Sequence, residues 1–270
     1  MERVMQTLVR EGKYKVIEYL SSDESYISAV AVDIEDNEHR LVLINTYLDP
    51  LDIRRFVPLF YDASRSGYDG FVEYYTEFSR VNVVFRYHSG KKLKQVFHKG
   101  STIDRKKRLE MEEELLHEAV LMSAIPQELL CAVLRAENAV VNLDSGRLKF
   151  NMVARPENIE RTEWLTDQLG EMSEMILKRR FTTPARELDF LDRLRTGGFE
   201  SVAAVYSAWR EIRPALEDDY EKQEKDGPVA TFLGAVRTHL TRRKKAGQYK
   251  KAYRERLARR GVLVKLVVLI

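Results

Sequence analysis

With 270 residues, 44% of them hydrophobic, the chain can bury a sizeable core in one large domain or two small ones. One cysteine, Cys131, and five scattered histidines without HExxH spacing exclude a disulfide framework and leave no metal site to expect. The net charge of +3 is uneven: residues 237–270 hold 12 Lys/Arg against one acid, and the preceding 236 residues hold 33 basic and 41 acidic side chains, which argues against a nucleic-acid-binding body.

The first hundred residues read as strands. Residues 14–20 (YKVIEYL), 26–33 (YISAVAVD) and 39–45 (HRLVLIN) are short β-branched runs separated by polar turns. A helix is expected over 52–63, interrupted by Pro58. Two more strands follow at 70–78 and 81–87, then the turn Ser89-Gly90 and a short helix over 91–97. From 103 to 124 the pattern becomes helical: Met111, Leu115, Ala119 and Met122 recur on one stripe beside Leu116 and Val120, with Thr102 placed as the cap. A hairpin is expected at 139–142 and 147–152 around Asp144-Ser145-Gly146, and helices at 163–179, 185–196 and 199–210. Residues 217–227 are charged and linker-like. No N-terminal apolar stretch suits a signal peptide, so a cytosolic body is expected.

Five strands with a helix between the third and fourth, then a mostly helical half holding one hairpin, is the element order of a protein kinase. Residues 134–141 (LRAENAVV) resemble the LKPENILL segment that follows the kinase catalytic aspartate. DSGRLKF, ending at Phe150, is similar to the stretch leading into DFG. Residues 166–178 (TDQLGEMSEMILK) look like the kinase helix that starts near a buried Asp and continues as SLGxxLYELL, and residues 191–212 are similar to the last helices of bacterial kinase domains. The resemblance spans Gly12 to Pro214. It implies an α+β, two-lobed protein-kinase-like fold, with an antiparallel five-stranded N-lobe over 12–90 and a mostly helical, abbreviated C-lobe over 91–214. A linker at 215–236 and a basic juxtamembrane tail with an apolar end at 237–270 complete the expected organisation.

Position by position, the resemblance also implies that the catalytic groups are missing. The phosphate-covering loop reads Ser21-Ser22-Asp23-Glu24-Ser25, with no glycine and two acids that would repel phosphate. The VAIK lysine falls on Ile44 or, one residue on, Asn45. HRD aligns with Cys131-Ala132-Val133, and DFG with Met152-Val153-Ala154. Asn138 alone matches by identity, at the second magnesium position, and one amide oxygen without a carboxylate is a poor Mg²⁺ site; bonding to the loop backbone is its more ordinary role. Cys131 reads as a small buried residue, and Asp167 as a helix cap or a tie to residues 131–133. The 153–163 segment is too short for an ordinary activation loop. No catalytic residue, cofactor or metal is expected.

Residues 242–260 (RRKKAGQYKKAYRERLARR) suit a helix with Ala246, Tyr249, Tyr253 and Leu257 on one stripe, and 262–270 (VLVKLVVLI) are apolar except for Lys265. A basic cluster before an apolar run is the pattern of a cytoplasmic juxtamembrane segment, although nine residues are too few to span a bilayer. The expected function is therefore a bacterial pseudokinase-type scaffold at the cytoplasmic face of a membrane, binding a protein partner and anionic lipid through 242–270, with no nucleic acid. Two other readings stay open. The domain order is similar to that of the membrane component of type VII secretion systems. An atypical phosphotransferase would instead need Asp23, Glu24 or Glu137 to gather Mg-ATP.

Overall fold

The computed structural model describes residues 12–159 and 165–267. In chain order the elements are strands β1 (Tyr14–Ser22), β2 (Tyr26–Asp33) and β3 (Leu41–Tyr47), helix α1 (Pro50–Arg65), strands β4 (Phe71–Glu77), β5 (Arg80–Arg86) and β6 (Lys91–Lys92), and helices α2 (Leu93–Val96), α3 (Arg105–Met122) and α4 (Gln127–Val133). Strands β7 (Ala139–Asn142) and β8 (Arg147–Phe150) follow, then helices α5 (Pro156–Ile159), α6 (Leu165–Leu177), α7 (Ala185–Thr196) and α8 (Val202–Val267). Contacts divide the chain into two units, one of residues 1–96 with 118–163, the other of 97–117 with 164–270.

The first unit is built on a five-stranded antiparallel sheet in the order β1-β2-β3-β5-β4. The inner strands β2, β3 and β5 are buried along most of their length, whereas the edge strands β1 and β4 are more exposed. One face carries Tyr14, Val16, Ala29, Ala31, Val42, Ile44 and Val84 as a single cluster. The other meets α1, whose Phe56 and Phe60 pack on the Tyr47 ring at 5.8 and 5.2 Å between centroids. Helix α1 starts earlier than expected because Asp49 accepts hydrogen bonds from the Leu51 and Asp52 N–H groups, at 2.7 and 3.2 Å, with Pro50 at the first helical position. Pro58 does not break it, and lies on the exposed side. A small second sheet, β6-β7-β8, follows. The helix expected over 91–97 is only α2, preceded by the two-residue β6, whose Lys91 and Lys92 pair with Val141 and Val140.

The β4–β5 turn is strained. Glu77 pairs with Arg80, so Phe78 and Ser79 form a two-residue turn with φ of 47° and 63°, and Phe78 is 84% exposed. Left-handed backbone costs an L-residue on the order of 1 kcal/mol, which Asn-Gly avoids. The double change Phe78→Asn, Ser79→Gly should raise stability by about 1 kcal/mol. The urea midpoint should rise at unchanged slope; a fall would count against this account.

In the second unit, α3 is capped by Asp104, whose carboxylate accepts from Lys107 N–H at 2.7 Å, rather than by Thr102. Its buried Arg108 donates to the carbonyls of Ile103 and Ile176, and Glu112 accepts from the Ser173 hydroxyl at 2.6 Å. Helix α7 spans the expected residues. It ends at Gly197 (φ 68°), where Gly198 N–H reaches back to the Arg193 carbonyl at 2.9 Å. Residues 217–227, expected as a linker, are helical: α8 continues through them and is broken only at Gly227 (φ 75°, ψ 172°). Leu216 is fully buried, and the Tyr220 hydroxyl donates to Glu187 at 2.6 Å, so this charged stretch has a packed side. Beyond Gly227 the helix lies against α7 and the turn before it: His239 stacks on Phe181 at 4.6 Å, and Arg242 bonds to Asp189 and Asp192 at 2.9 and 2.7 Å. Arg242, assigned to the basic tail by sequence, is thus anchored. Residues 242–267 are helical, and the last three residues of the apolar end, 268–270, lie outside the described residues.

Candidate functional site

Residues 151–154 follow β8 and carry the candidate site. Three asparagines fasten them within the first unit. Asn45, fully buried on β3, donates from its amide to the Met152 carbonyl at 2.9 Å and accepts from the Ala154 N–H at 3.2 Å. Its oxygen also accepts from the Tyr26 hydroxyl, and Tyr47, two residues along the same face, donates to the Ala154 carbonyl at 2.5 Å. Burial pushes both phenols up, so they stay neutral donors. Ile44 sits in the cluster on the opposite face. Of the two positions aligned with the third-strand lysine, only Asn45 therefore reaches this segment.

Asn138, buried just before β7, donates to the Val133 carbonyl at 3.0 Å and the Val153 carbonyl at 3.4 Å. Asn151 works outward from the segment. Its side chain accepts the His88 N–H at 2.8 Å and donates to the His88 carbonyl at 3.0 Å, occupying both backbone groups of that connector residue. Cys131, Ala132 and Val133 form the buried last turn of α4, so Cys131 is a core thiol. The residues after 154 form the single turn α5; the remainder of the short segment, 160–163, lies outside the described residues.

The loop between β1 and β2 is closed on itself. One oxygen of the Asp23 carboxylate accepts the Ser25 N–H at 3.0 Å, the Ser25 hydroxyl at 3.0 Å and the Tyr26 N–H at 2.8 Å. Burial opposes ionisation of Asp23, but these bonds outweigh it and hold the carboxyl below its usual range. Arg155 reaches the same loop through the Ser21 hydroxyl at 3.0 Å. Glu137 pairs with Arg135 at 2.9 Å, and among the described residues no group of three or more His, Cys, Asp or Glu side chains is placed to hold a metal ion.

No family model and no curated protein matches the sequence. Among solved structures, the kinase domain of PknI from Mycobacterium tuberculosis is similar with a TM-score of 0.50 at 13% identity, over 80% of this chain and 100% of that domain. The fold is protein-kinase-like. Within a kinase-like fold, the residues named from the sequence divide clearly. Asn45, Asn138 and Met152-Val153-Ala154 come together, and Asp23 lies in the β1–β2 loop. Asp167 lies in the first turn of α6, in the other unit. Tyr26, Tyr47 and Asn151 were not singled out from the sequence. Asn151 had no signal beyond an asparagine at a strand end, which reads as a turn residue.

The same unit holds a cavity of about 720 Å³ lined by Tyr68, Arg86, His88, Glu118, Arg147 and Lys149, among others. Its charges are largely self-paired: Lys149 with Glu118 and Arg86 with Asp69, each at 2.5 Å. Burial, with help from Lys149 and Arg86, lowers the His88 imidazole to about 4, so the ring is neutral at physiological pH.

Proposed function

We propose that this chain is a kinase-like binding module that does not use ATP and is held at the cytoplasmic face of a bacterial membrane by its C-terminal helix. The observation that supports it most is the Asn45 clamp. Phosphoryl transfer is almost wholly a matter of positioned cations and carboxylates. At Asn45 a neutral amide spends its donor and acceptor on the backbone of Met152 and Ala154. The β1–β2 loop adds to this, because two of its N–H groups already serve the Asp23 carboxylate and are not free to meet phosphate. A planar base seeking the backbone edge of the connector would find the His88 N–H and carbonyl taken by Asn151.

The fold then serves as a fixed surface for a protein partner. The membrane part of the reading rests on the 12 Lys/Arg after residue 236. Each basic residue near an anionic surface contributes roughly 1 kcal/mol. No helix among the described residues is long and apolar enough to cross a bilayer.

Magnesium-ATP should leave the melting temperature unchanged, and labelled ATP should give no phosphorylated product. A ligand at a hundred times its Kd would stabilise the fold by about 2.7 kcal/mol, an easily seen rise. A magnesium-dependent rise of that size would overturn the reading.

A further inference from the structure

The α8 segment after Gly227 has two faces. Thr231, Ala235, Thr238 and Arg242 lie toward the rest of the unit; Ala235 is buried, and Arg242 is held by Asp189 and Asp192. These contacts fix the rotation of the helix. They leave Val229, Leu233 and Leu240 on one outward stripe, with the half-buried Val236 between the last two on the same side. Val229, Leu233 and Leu240 are 73%, 63% and 64% exposed, and Phe232 beside them is 54% exposed although it touches Phe181. A Cβ built at Gly234 on this segment would meet nothing within 4 Å.

We propose that this stripe is an interfacial membrane-binding face that lies flat on an anionic phospholipid surface, with the body of the unit on its far side. This deepens the membrane part of the function proposed above and rests on it. Two observations favour lipid over a second copy of the chain. A stable dimer buries roughly 800 Å² per partner, more than four aliphatic side chains supply. Past the anchored Arg242 the helix also runs directly into nine Lys/Arg within residues 243–260. A parallel copy would set these like charges side by side, whereas anionic lipid headgroups complement them. The stripe then supplies the apolar, salt-insensitive share of the binding and the basic run the electrostatic share.

The test is co-sedimentation of the full chain with phosphatidylglycerol–phosphatidylcholine vesicles at low salt and at roughly 0.5 M salt, where charge attraction is largely screened. The variant Val229→Gln/Leu233→Gln/Leu240→Gln changes only outward-facing side chains, and circular dichroism checks that it is folded. The wild type should stay bound at both salt concentrations. The variant should bind at low salt and lose at least tenfold in partitioning at high salt. Equal retention of both proteins at high salt, or release of both, overturns the stripe while leaving the basic tail in place. No binding of the wild type even at low salt overturns the membrane reading itself. If sedimentation shows a wild-type dimer that the variant abolishes, the stripe pairs with a second copy and the proposal is wrong.

Discussion

Replacing Asn45 by alanine should destabilise the protein by about 4 kcal/mol, because three buried partners lose their hydrogen bonds together and each orphaned group costs about 1–3 kcal/mol. Those partners are the Met152 carbonyl, the Ala154 N–H and the Tyr26 hydroxyl. The site is fully buried, so water cannot substitute without a rearrangement of β3 against residues 152–154. Urea denaturation of the variant should show the loss in midpoint. A loss under about 1 kcal/mol would mean that the clamp contributes little beyond an ordinary hydrogen bond, and the structural role given to Asn45 would fall. Asparagine is thus more than a missing lysine here: its two-sided amide answers a carbonyl and an N–H at once, which a lysine ammonium, a donor only, cannot do.

The second large effect concerns Glu112, fully buried on α3 with the Ser173 hydroxyl donating to one oxygen. Burial, with repulsion from Glu187 and Glu113, raises the acid from 4.5 to about 8. Below about pH 4 both folded and unfolded chains hold this proton and no penalty arises. As pH rises the unfolded chain releases its proton first, and each unit between the two values costs the native state about 1.4 kcal/mol. By pH 7 the loss is on the order of 3 kcal/mol, and it levels off above the folded value. Glu112→Gln keeps the shape and the Ser173 acceptor without the ionisation. The variant should match the wild type near pH 4.5 and exceed it by about 4 kcal/mol at pH 7.5. Glu187, also raised by burial against the pull of Arg105 and Tyr220, adds a pH dependence of the same sign. Parallel stability curves for the two proteins across this range would rule out Glu112 as the source.

Much of the fold was legible in the sequence, for local reasons. Strands β2 and β3 are β-branched runs bounded by polar turns, and α7 sits between Pro184 and Gly197, both strong boundary residues. Helix α4 was not legible: Leu129 to Val133 are all buried, so the run has no polar face and no period to reveal it. The 217–227 stretch misled in the opposite way. Its alternating charges read as a linker, yet they form helical pairs such as Glu221 with Lys225, and its packed side consists of few residues. The site was legible only as a set of losses. That Asn45 reaches residues 152 and 154, and that Asn151 reaches back to His88, are contacts over long sequence separations that no local pattern encodes.

The break at Gly227 has a mechanical consequence. A single positive-φ glycine interrupts α8, and on its own it would be the compliant point in any pull on the chain beyond residue 242. The docking of His239 on Phe181 and of Arg242 on Asp189 and Asp192 bridges that point in parallel. Traction on the C-terminal segment therefore meets α7 and the turn before it ahead of the glycine, and those contacts must yield before the break at Gly227 carries the load.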